Sequence, residues 1–124
     1  VASEGEDLER ARVLAEQAVE ELPEGPDELH TLGYVYLRSG QYELAAMRLQ
    51  EAVARASAAR KENALYHYHL ALALRQVHRN ESAAQAFERA LELDPALPQA
   101  VHARAERKAA LLGDPAPADP FEGG

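Results

Sequence analysis

Histidines are the side chains of this sequence with the broadest chemistry, and there are five of them: His30, His67, His69, His78 and His102. His67 and His69 cannot share one ion on a helix, because residues two apart point in nearly opposite directions. His102 and Glu106 have the i, i+4 spacing of a ligand pair, but a zinc site needs at least three protein ligands. The chain has no cysteine, which removes thiolate ligands and cysteine nucleophiles. We therefore expect no metal site.

Catalytic motifs with fixed spacing are also missing from the sequence. There is no phosphate-binding loop of the G-x-x-x-x-G-K-[ST] type, no G-x-G-x-x-G, no H-E-x-x-H and no G-x-S-x-G. The sequence predicts a non-catalytic protein that carries no cofactor.

Charge narrows the choice of partner. The first 28 residues contain ten acidic and two basic side chains, which accounts for the whole net charge of −8. Such a balance argues against nucleic acid, whose phosphates attract clustered Lys and Arg. The acidic stretch is either a solvated helix face or a docking surface for a basic partner. No apolar run reaches the roughly 20 residues needed to cross a bilayer, so we expect no membrane insertion. The lack of cysteine is compatible with both the cytoplasm and the periplasm; we expect the cytoplasm, with the periplasm as the alternative.

The elements that must position these side chains are helices. Apolar residues follow the period of one buried helical stripe from Leu29 to Leu37, stop at Ser39 and Gly40, and resume from Tyr42. The chain contains no isoleucine and no run that alternates with period two, which argues against strands. Residues 30–52 therefore predict a helix, a turn and an antiparallel helix within an all-α fold.

One phrase of the sequence occurs three times. Alanine, a second apolar residue four positions later and alanine three positions further on stand at 11–18, 45–52 and 83–90, separated by 34 and 38 residues. Leu29, Leu32, Gly33 and Tyr36 precede the middle copy, and Pro95 follows the last. This pattern resembles the tetratricopeptide repeat family, in its bacterial form. The resemblance implies antiparallel helical hairpins stacked in a right-handed superhelix, an α-α solenoid.

The repeats divide the chain into predicted segments. These are a flexible N-terminus at 1–7, a half repeat at 8–25, full repeats at 26–63 and 64–97, a capping helix at 98–113 and a disordered tail at 114–124. We expect the capping helix to bury Leu97, Val101, Ala105, Leu111 and Leu112. The four additional residues before the third copy predict an extra helical turn that ends near Asn63, and Asn63 and Asn80 are the predicted helix caps. The half repeat indicates either an array cut within a repeat or an array that begins with an unpaired helix.

The resemblance also implies a function. In this family the first helix of each hairpin lines a concave groove that receives a peptide, so we expect a protein-protein interaction module with a protein or peptide partner. The alternative is a structural element that associates weakly with itself through its end helices, within a bacterial envelope or exopolysaccharide-assembly scaffold. The groove positions are Asp27, His30, Thr31, Tyr34, Arg38, Tyr68, His69, Leu72, Arg75, Gln76, Gln99 and His102. Their chemistry suits a partner with apolar anchors and carboxylates. The histidines predict an affinity that changes between about pH 7 and pH 5.5.

Overall fold

The computed structural model describes residues 3–122, and within them the secondary structure is helical, without a strand. The six helices are α1 (Glu4–Glu21), α2 (Pro26–Arg38), α3 (Tyr42–Ala58), α4 (Ala64–Gln76), α5 (Asn80–Leu93) and α6 (Ala100–Leu112). Helices that are neighbours in sequence pack together, α1 with α2, α2 with α3, α4 with α5 and α5 with α6. The predicted all-α helical repeat fold is confirmed.

The chain forms two compact units, of which the first ends at Lys61 and the second begins at Glu62. Unit 1 thus contains α1, α2 and α3, and unit 2 contains α4, α5 and α6. No helix within residues 3–122 combines the length and the apolar character needed to cross a membrane.

The core of unit 1 is the hairpin of α2 and α3. Leu29, Leu32 and Leu49 are fully buried, and Gly33 lets the two helices approach closely. A Cβ atom at Gly33 would lie 2.6 Å from Leu49 Cγ and 3.1 Å from the Leu49 backbone nitrogen. Helix α1 joins this hairpin through Tyr36, whose hydroxyl donates to a carboxylate oxygen of Glu16 at 3.0 Å.

The turns of the two units have the same backbone design. Gly40 has a φ of +77° between α2 and α3, and His78 has a φ of +65° between α4 and α5. In each turn the next residue donates its backbone N–H to the carbonyl oxygen five residues earlier, at 2.9 Å. A left-handed φ is easy for glycine and costly for histidine. The α4–α5 turn is therefore strained where the α2–α3 turn is not.

The predicted end of the α2–α3 hairpin, near Asn63, was wrong. Helix α3 ends earlier, at Ala58. The chain instead reverses through Arg60, which has a φ of +57°, while the Lys61 N–H donates to the Ala56 carbonyl oxygen at 2.8 Å. This is the pattern of a left-handed helix stop, here without the glycine that usually signals it.

One of the two predicted caps is confirmed. The Asn63 side chain accepts from the Leu65 N–H at 2.9 Å and caps α4. Asn80 is not a cap, because it is the first residue of α5 and its side chain accepts from Arg75 at 3.1 Å.

The buried face of α6 also differs from the prediction. Leu97 is buried as expected, but Val101 is 77% exposed, Leu111 58% and Leu112 67%, and Ala105 is exposed too. The residues of α6 that are buried are Ala100, His102, Ala103 and Ala110. Small side chains face α5 because they allow close helix approach, which leaves the larger apolar residues outside.

At the two ends of the described chain the structure differs from the expected segment types. Helix α1 begins at Glu4, capped by the Ser3 hydroxyl, which accepts from the Glu6 N–H at 3.1 Å. At the other end, residues 114–122 lie outside any helix but contact α4, as described below. Residues 1, 2, 123 and 124 of these predicted segments lie outside the described residues.

Candidate peptide-binding surface

Helix α4 is buried on almost all sides. Every residue from Tyr66 to Arg75 is buried, which marks α4 as the central helix of unit 2. Residues His69, Leu72 and Gln76 follow the i, i+3, i+7 spacing and share one face. We call this face, together with Arg75 beside it, the α4 surface.

Arg75 is the largest of the fully buried side chains, with 2% of its surface exposed. Its Nε donates to Glu106 Oε1 at 3.4 Å and its Nη1 to Asn80 Oδ1 at 3.1 Å. Nη1 also donates to the carbonyl oxygen of Asp114 at 2.8 Å, and Nη2 to that of Pro115 at 3.2 Å. A buried cation needs such oxygen partners, because burial removes its water. Two of the four oxygens come from the segment after α6.

Residues 114–121, which we call the tail, lie along the α4 surface. Gln76 Nε2 donates to the carbonyl oxygen of Pro117 at 2.7 Å. The Phe121 ring meets the His69 ring edge to face, with centroids 6.4 Å apart, and Pro120 is buried. The tail therefore covers the face of α4 that the sequence assigned to a peptide, and residues 114–122 contrast with the disordered segment expected there.

The tail is held mainly through its main chain. Three prolines in eight residues fix φ and remove backbone donors, so this segment cannot continue a helix. Its carbonyl oxygens at positions 114, 115 and 117 are the atoms that accept from α4. Near its end Asp119 accepts from the Phe121 N–H at 2.9 Å, a turn that orients the ring.

Helices α4 and α6 meet through Tyr68 and His102. The Tyr68 hydroxyl lies 2.5 Å from His102 Nδ1, and both residues are buried. Burial first, and the nearby Glu106 carboxylate second, raise the pKa of Tyr68 to about 12. Tyr68 therefore keeps its proton and can donate to His102 Nδ1 when that nitrogen carries no proton.

Two buried polar atoms of unit 2 have no hydrogen-bond partner among the described residues. They are Nε2 of His102 and Oε1 of Gln99. Both residues were predicted to face a peptide; in the structure His102 is buried within unit 2 and Gln99 is half-buried.

In unit 1 the predicted residues lie on α2 and remain accessible. Thr31 donates to the Asp27 carbonyl oxygen at 2.9 Å, and Arg38 pairs with Glu4 at 3.6 Å. The rings of His30 and Tyr34 are tilted against each other with centroids 6.3 Å apart. Burial lowers the pKa of His30 to about 4, against a smaller opposing effect of Asp27. His30 therefore titrates below the window from pH 7 to pH 5.5 in which the sequence predicted a change of affinity.

Sequence reasoning missed the groups that complete the α4 surface. They are Asn80, Glu106 and the carbonyl oxygens of the tail. The signal for the tail was weak: an apolar Phe121 in an otherwise polar and proline-rich segment.

Unit 1 also contains a cavity that no motif predicted. It has a volume of about 410 Å³ and lies between α1, α2 and α3. Its lining includes the carboxylates of Glu16 and Glu20 and the guanidinium of Arg48 beside Leu32 and Tyr36. With two carboxylates and one guanidinium, this lining has a formal charge of −1.

No metal site is formed by the residues that the structure describes. Among residues 3–122 there is no group of three or more His, Asp or Glu side chains that could hold an ion.

Comparison with protein families identifies the hairpin that carries the α4 surface. Residues 64–97 match the family model described as Tetratricopeptide repeat, and they comprise α4, α5 and the turn after α5. This hairpin is similar to a tetratricopeptide repeat, and the all-helical structure of the described residues fits a protein of this type. Within each unit, helices that are neighbours in sequence pack together, as they do in a helical repeat. A search of curated proteins found no match. Tetratricopeptide repeats are in general protein-interaction modules and are generally non-catalytic.

Proposed function

We propose that the chain is a non-catalytic interaction module that binds an extended segment of a partner protein on the α4 surface. One observation carries this proposal. The α4 surface already holds a non-helical, proline-rich segment, the tail, through Arg75, Gln76 and His69.

The chemistry of the contacts indicates the class of ligand. Arg75 and Gln76 donate to main-chain carbonyl oxygens, which any extended peptide presents. Prolines in such a peptide restrict its free conformations and thereby lower the entropy lost on binding. His69 offers its ring to an aromatic anchor. We therefore propose a proline-rich ligand with an aromatic residue and nearby carboxylates, as the groove residues suggested.

Helix α2 supports the same role in unit 1. Its residues Asp27, Thr31 and Arg38 are exposed, and His30 and Tyr34 are half-buried. Each of these residues has an equivalent on α4, 38 positions later in the sequence. In chain order the equivalents are Leu65, Tyr68, His69, Leu72 and Gln76. We propose that this face of α2 is a second contact surface for the partner.

Nuclear magnetic resonance of the full chain, labelled with nitrogen-15, tests the proposed function. The probe is the unlabelled peptide GDPAPADPFE, added up to millimolar concentration. We expect shifts of the amide signals of residues 69–76, and no shift at Gln85, which is exposed on α5. A control peptide with glycine for each proline and alanine for phenylalanine should shift neither set. Equal shifts with both peptides, or shifts confined to α5, would contradict the proposal.

A second candidate function is self-assembly, which the exposed apolar residues favour. Val101, Leu111 and Leu112 on α6 are more than half exposed, and on α1 Leu14 is 66% and Val13 41% exposed. In repeat proteins such faces are buried against a neighbouring repeat. The first turn of α1 is acidic, whereas α6 exposes Arg104 and Lys108, so the two helices carry opposite charge.

Sedimentation velocity at low and high salt tests self-assembly. Head-to-tail association should give larger species at low salt that dissociate as salt screens the charges. Val101→Glu should abolish these species. A monomer at every salt and protein concentration would exclude this function.

A further inference from the structure

We infer that the tail is an internal ligand of the α4 surface, which must leave before a partner segment of the same chemistry can bind. This inference rests on the proposed function and adds a competitor to it. The occupant is a segment of the chain itself, residues 114–121, and the partner is an extended, proline-rich, acidic segment that ends in an aromatic residue.

The order of the contacts is that of a bound peptide. Asp114, Pro115 and Pro117 contact Arg75 and Gln76 near the end of α4, whereas Phe121 contacts His69 two turns earlier. The tail thus runs antiparallel to α4 over roughly 10 Å of helix. Main-chain contacts at one end and an aromatic anchor at the other define both direction and register.

The start of the tail is fixed by the end of α6. Gly113 has a φ of +75°, and the Asp114 N–H donates to the Ala109 carbonyl oxygen at 2.9 Å. The first tail residue is therefore already at Arg75 when α6 has folded. A ligand tethered this closely acts at an effective concentration in the millimolar range. A partner segment in solution binds the α4 surface only if its concentration and affinity together outweigh those of the tethered tail.

The tail can nevertheless leave without unfolding the helices. It belongs to no helix, and Asp114, Pro115 and Asp119 are exposed. When it leaves, Arg75 keeps Glu106 and Asn80 as partners, and water can replace the two carbonyl oxygens. The helical packing within unit 2 requires no change.

The ligand chemistry follows from what the tail presents. Its pattern is D-P-x-P-x-D-P-F, in which the prolines fix φ and prevent a helix, and the segment ends in the turn of Asp119 and Phe121. Arg75 and Gln76 read the backbone carbonyls, so the side chains at the two x positions are free to vary. The aromatic residue and the prolines are the required features of a competing partner.

Two full-length chains test the competition. One is the wild type, and the other is Pro117→Gly combined with Phe121→Ala, which weakens the tail and leaves the α4 surface intact. The matched control is Leu112→Ala, which removes an apolar side chain exposed on α6. The probe is a fluorescent GDPAPADPFE peptide, and its binding is followed by anisotropy.

We expect the weakened tail to lower the dissociation constant of the probe at least tenfold, since the apparent affinity scales with the open fraction of the surface. Leu112→Ala should bind as the wild type does. Nitrogen-15 relaxation provides a second measurement: the amide of Phe121 should be as ordered as the helices in the wild type and mobile in the double variant.

The outcomes separate the two proposals. Equal affinities of the wild type and the double variant would overturn the internal ligand and leave the proposed function standing. No binding to either chain, with the tail released in the double variant, would overturn both. A wild-type dimer that is lost in the double variant would assign the α4 surface to the tail of a second copy and overturn the internal form.

Discussion

Replacing Gly33 by alanine tests the packing of α2 against α3, which presents the accessible face of α2. The new Cβ would lie 2.6 Å from Leu49 Cγ and 2.8 Å from Leu49 Cδ2, about 1 Å closer than the optimal carbon-carbon separation. Leu49 is fully buried, so its side chain has no free space to enter. The Leu49 backbone nitrogen, at 3.1 Å from the new Cβ, also limits any relief by side-chain rotation alone.

Two opposing terms set the size of the effect of Gly33→Ala. Overpacking of a core costs about 1 to 3 kcal/mol, and the upper half of that range applies because both a branched carbon and a backbone atom are in the way. Alanine regains about 1 kcal/mol through its better helix propensity. The free energy of unfolding should therefore fall by about 1 to 2 kcal/mol. For a chain of this size the melting temperature should fall by roughly 4 to 8 °C.

Thermal unfolding followed by circular dichroism measures this change, and Gly5→Ala in α1 is the matched control. The nearest atom to a Cβ at Gly5 is Ser3 Oγ at 3.8 Å, an ordinary contact, so this change should leave stability equal or slightly higher. On a Leu49→Ala background the side-chain clash is removed and only the contact with the backbone nitrogen of residue 49 remains, so Gly33→Ala should destabilise less than it does in the wild type. A higher melting temperature for Gly33→Ala, or additive effects in this double-mutant cycle, would refute the packing argument.

Three further predictions concern single residues of the two units. His78→Gly should stabilise the chain by about 1 kcal/mol, because glycine adopts the left-handed φ of this turn without strain; an unchanged melting temperature would contradict this. Tyr68→Phe should lower the free energy of unfolding, measured in urea, by about 1 to 3 kcal/mol, because buried Nδ1 of His102 loses its bond; a loss below about 0.5 kcal/mol would contradict that estimate. The lowered pKa of His30 in the folded state, about 4 against an ordinary 6.5, means that the unfolded chain binds more protons between these values. Stability should therefore fall as pH drops from about 6.5 to 4 and should not change with His30 above that range; urea midpoints should fall less in His30→Gln, and equal slopes would exclude His30 as the source.

The helices could be predicted from sequence wherever large and small residues alternate with the helical period. Leu29, Leu32 and Gly33 define one face of α2, and the structure buries that face. The family resemblance rests on the same residues, because a buried position restricts both the size and the polarity of its side chain. In the hairpins, the spacing of large and small apolar residues along the sequence directly reflects the contacts between the paired helices.

The orientation of α6 could not be predicted in this way. Alanine lies on both faces of that helix, so the period of apolar residues does not distinguish the face that packs on α5. Close approach selects Ala103 and Ala110, and it leaves Val101 and Leu112 outside. Hydrophobicity alone would predict that the larger apolar residues, Val101 and Leu112, are buried and that the alanines are exposed.

The left-handed turns and the tail were missed for a related reason. Arg60 and His78 have a positive φ, a conformation that is usually found at glycine. Their residue types therefore do not predict a turn at these positions. The tail is bound through its own carbonyl oxygens, which every residue possesses. A pattern of side chains cannot reveal an interaction in which the side chains of one partner take little part.

Equivalent positions of α2 and α4 show what the tail does to the candidate surface. Thr31 and Arg38 are exposed on α2, whereas His69, 38 residues after Thr31, is buried, and Gln76, 38 residues after Arg38, donates to a tail carbonyl oxygen. On the opposite face each helix carries a small buried residue, Gly33 or Ala71. The helices therefore pack alike on their inner faces, and the difference on the outer face arises from the segments after α5. Exposure on α2 is the state that we expect for the α4 surface once the tail has left, and His69 is the residue whose accessibility should change most.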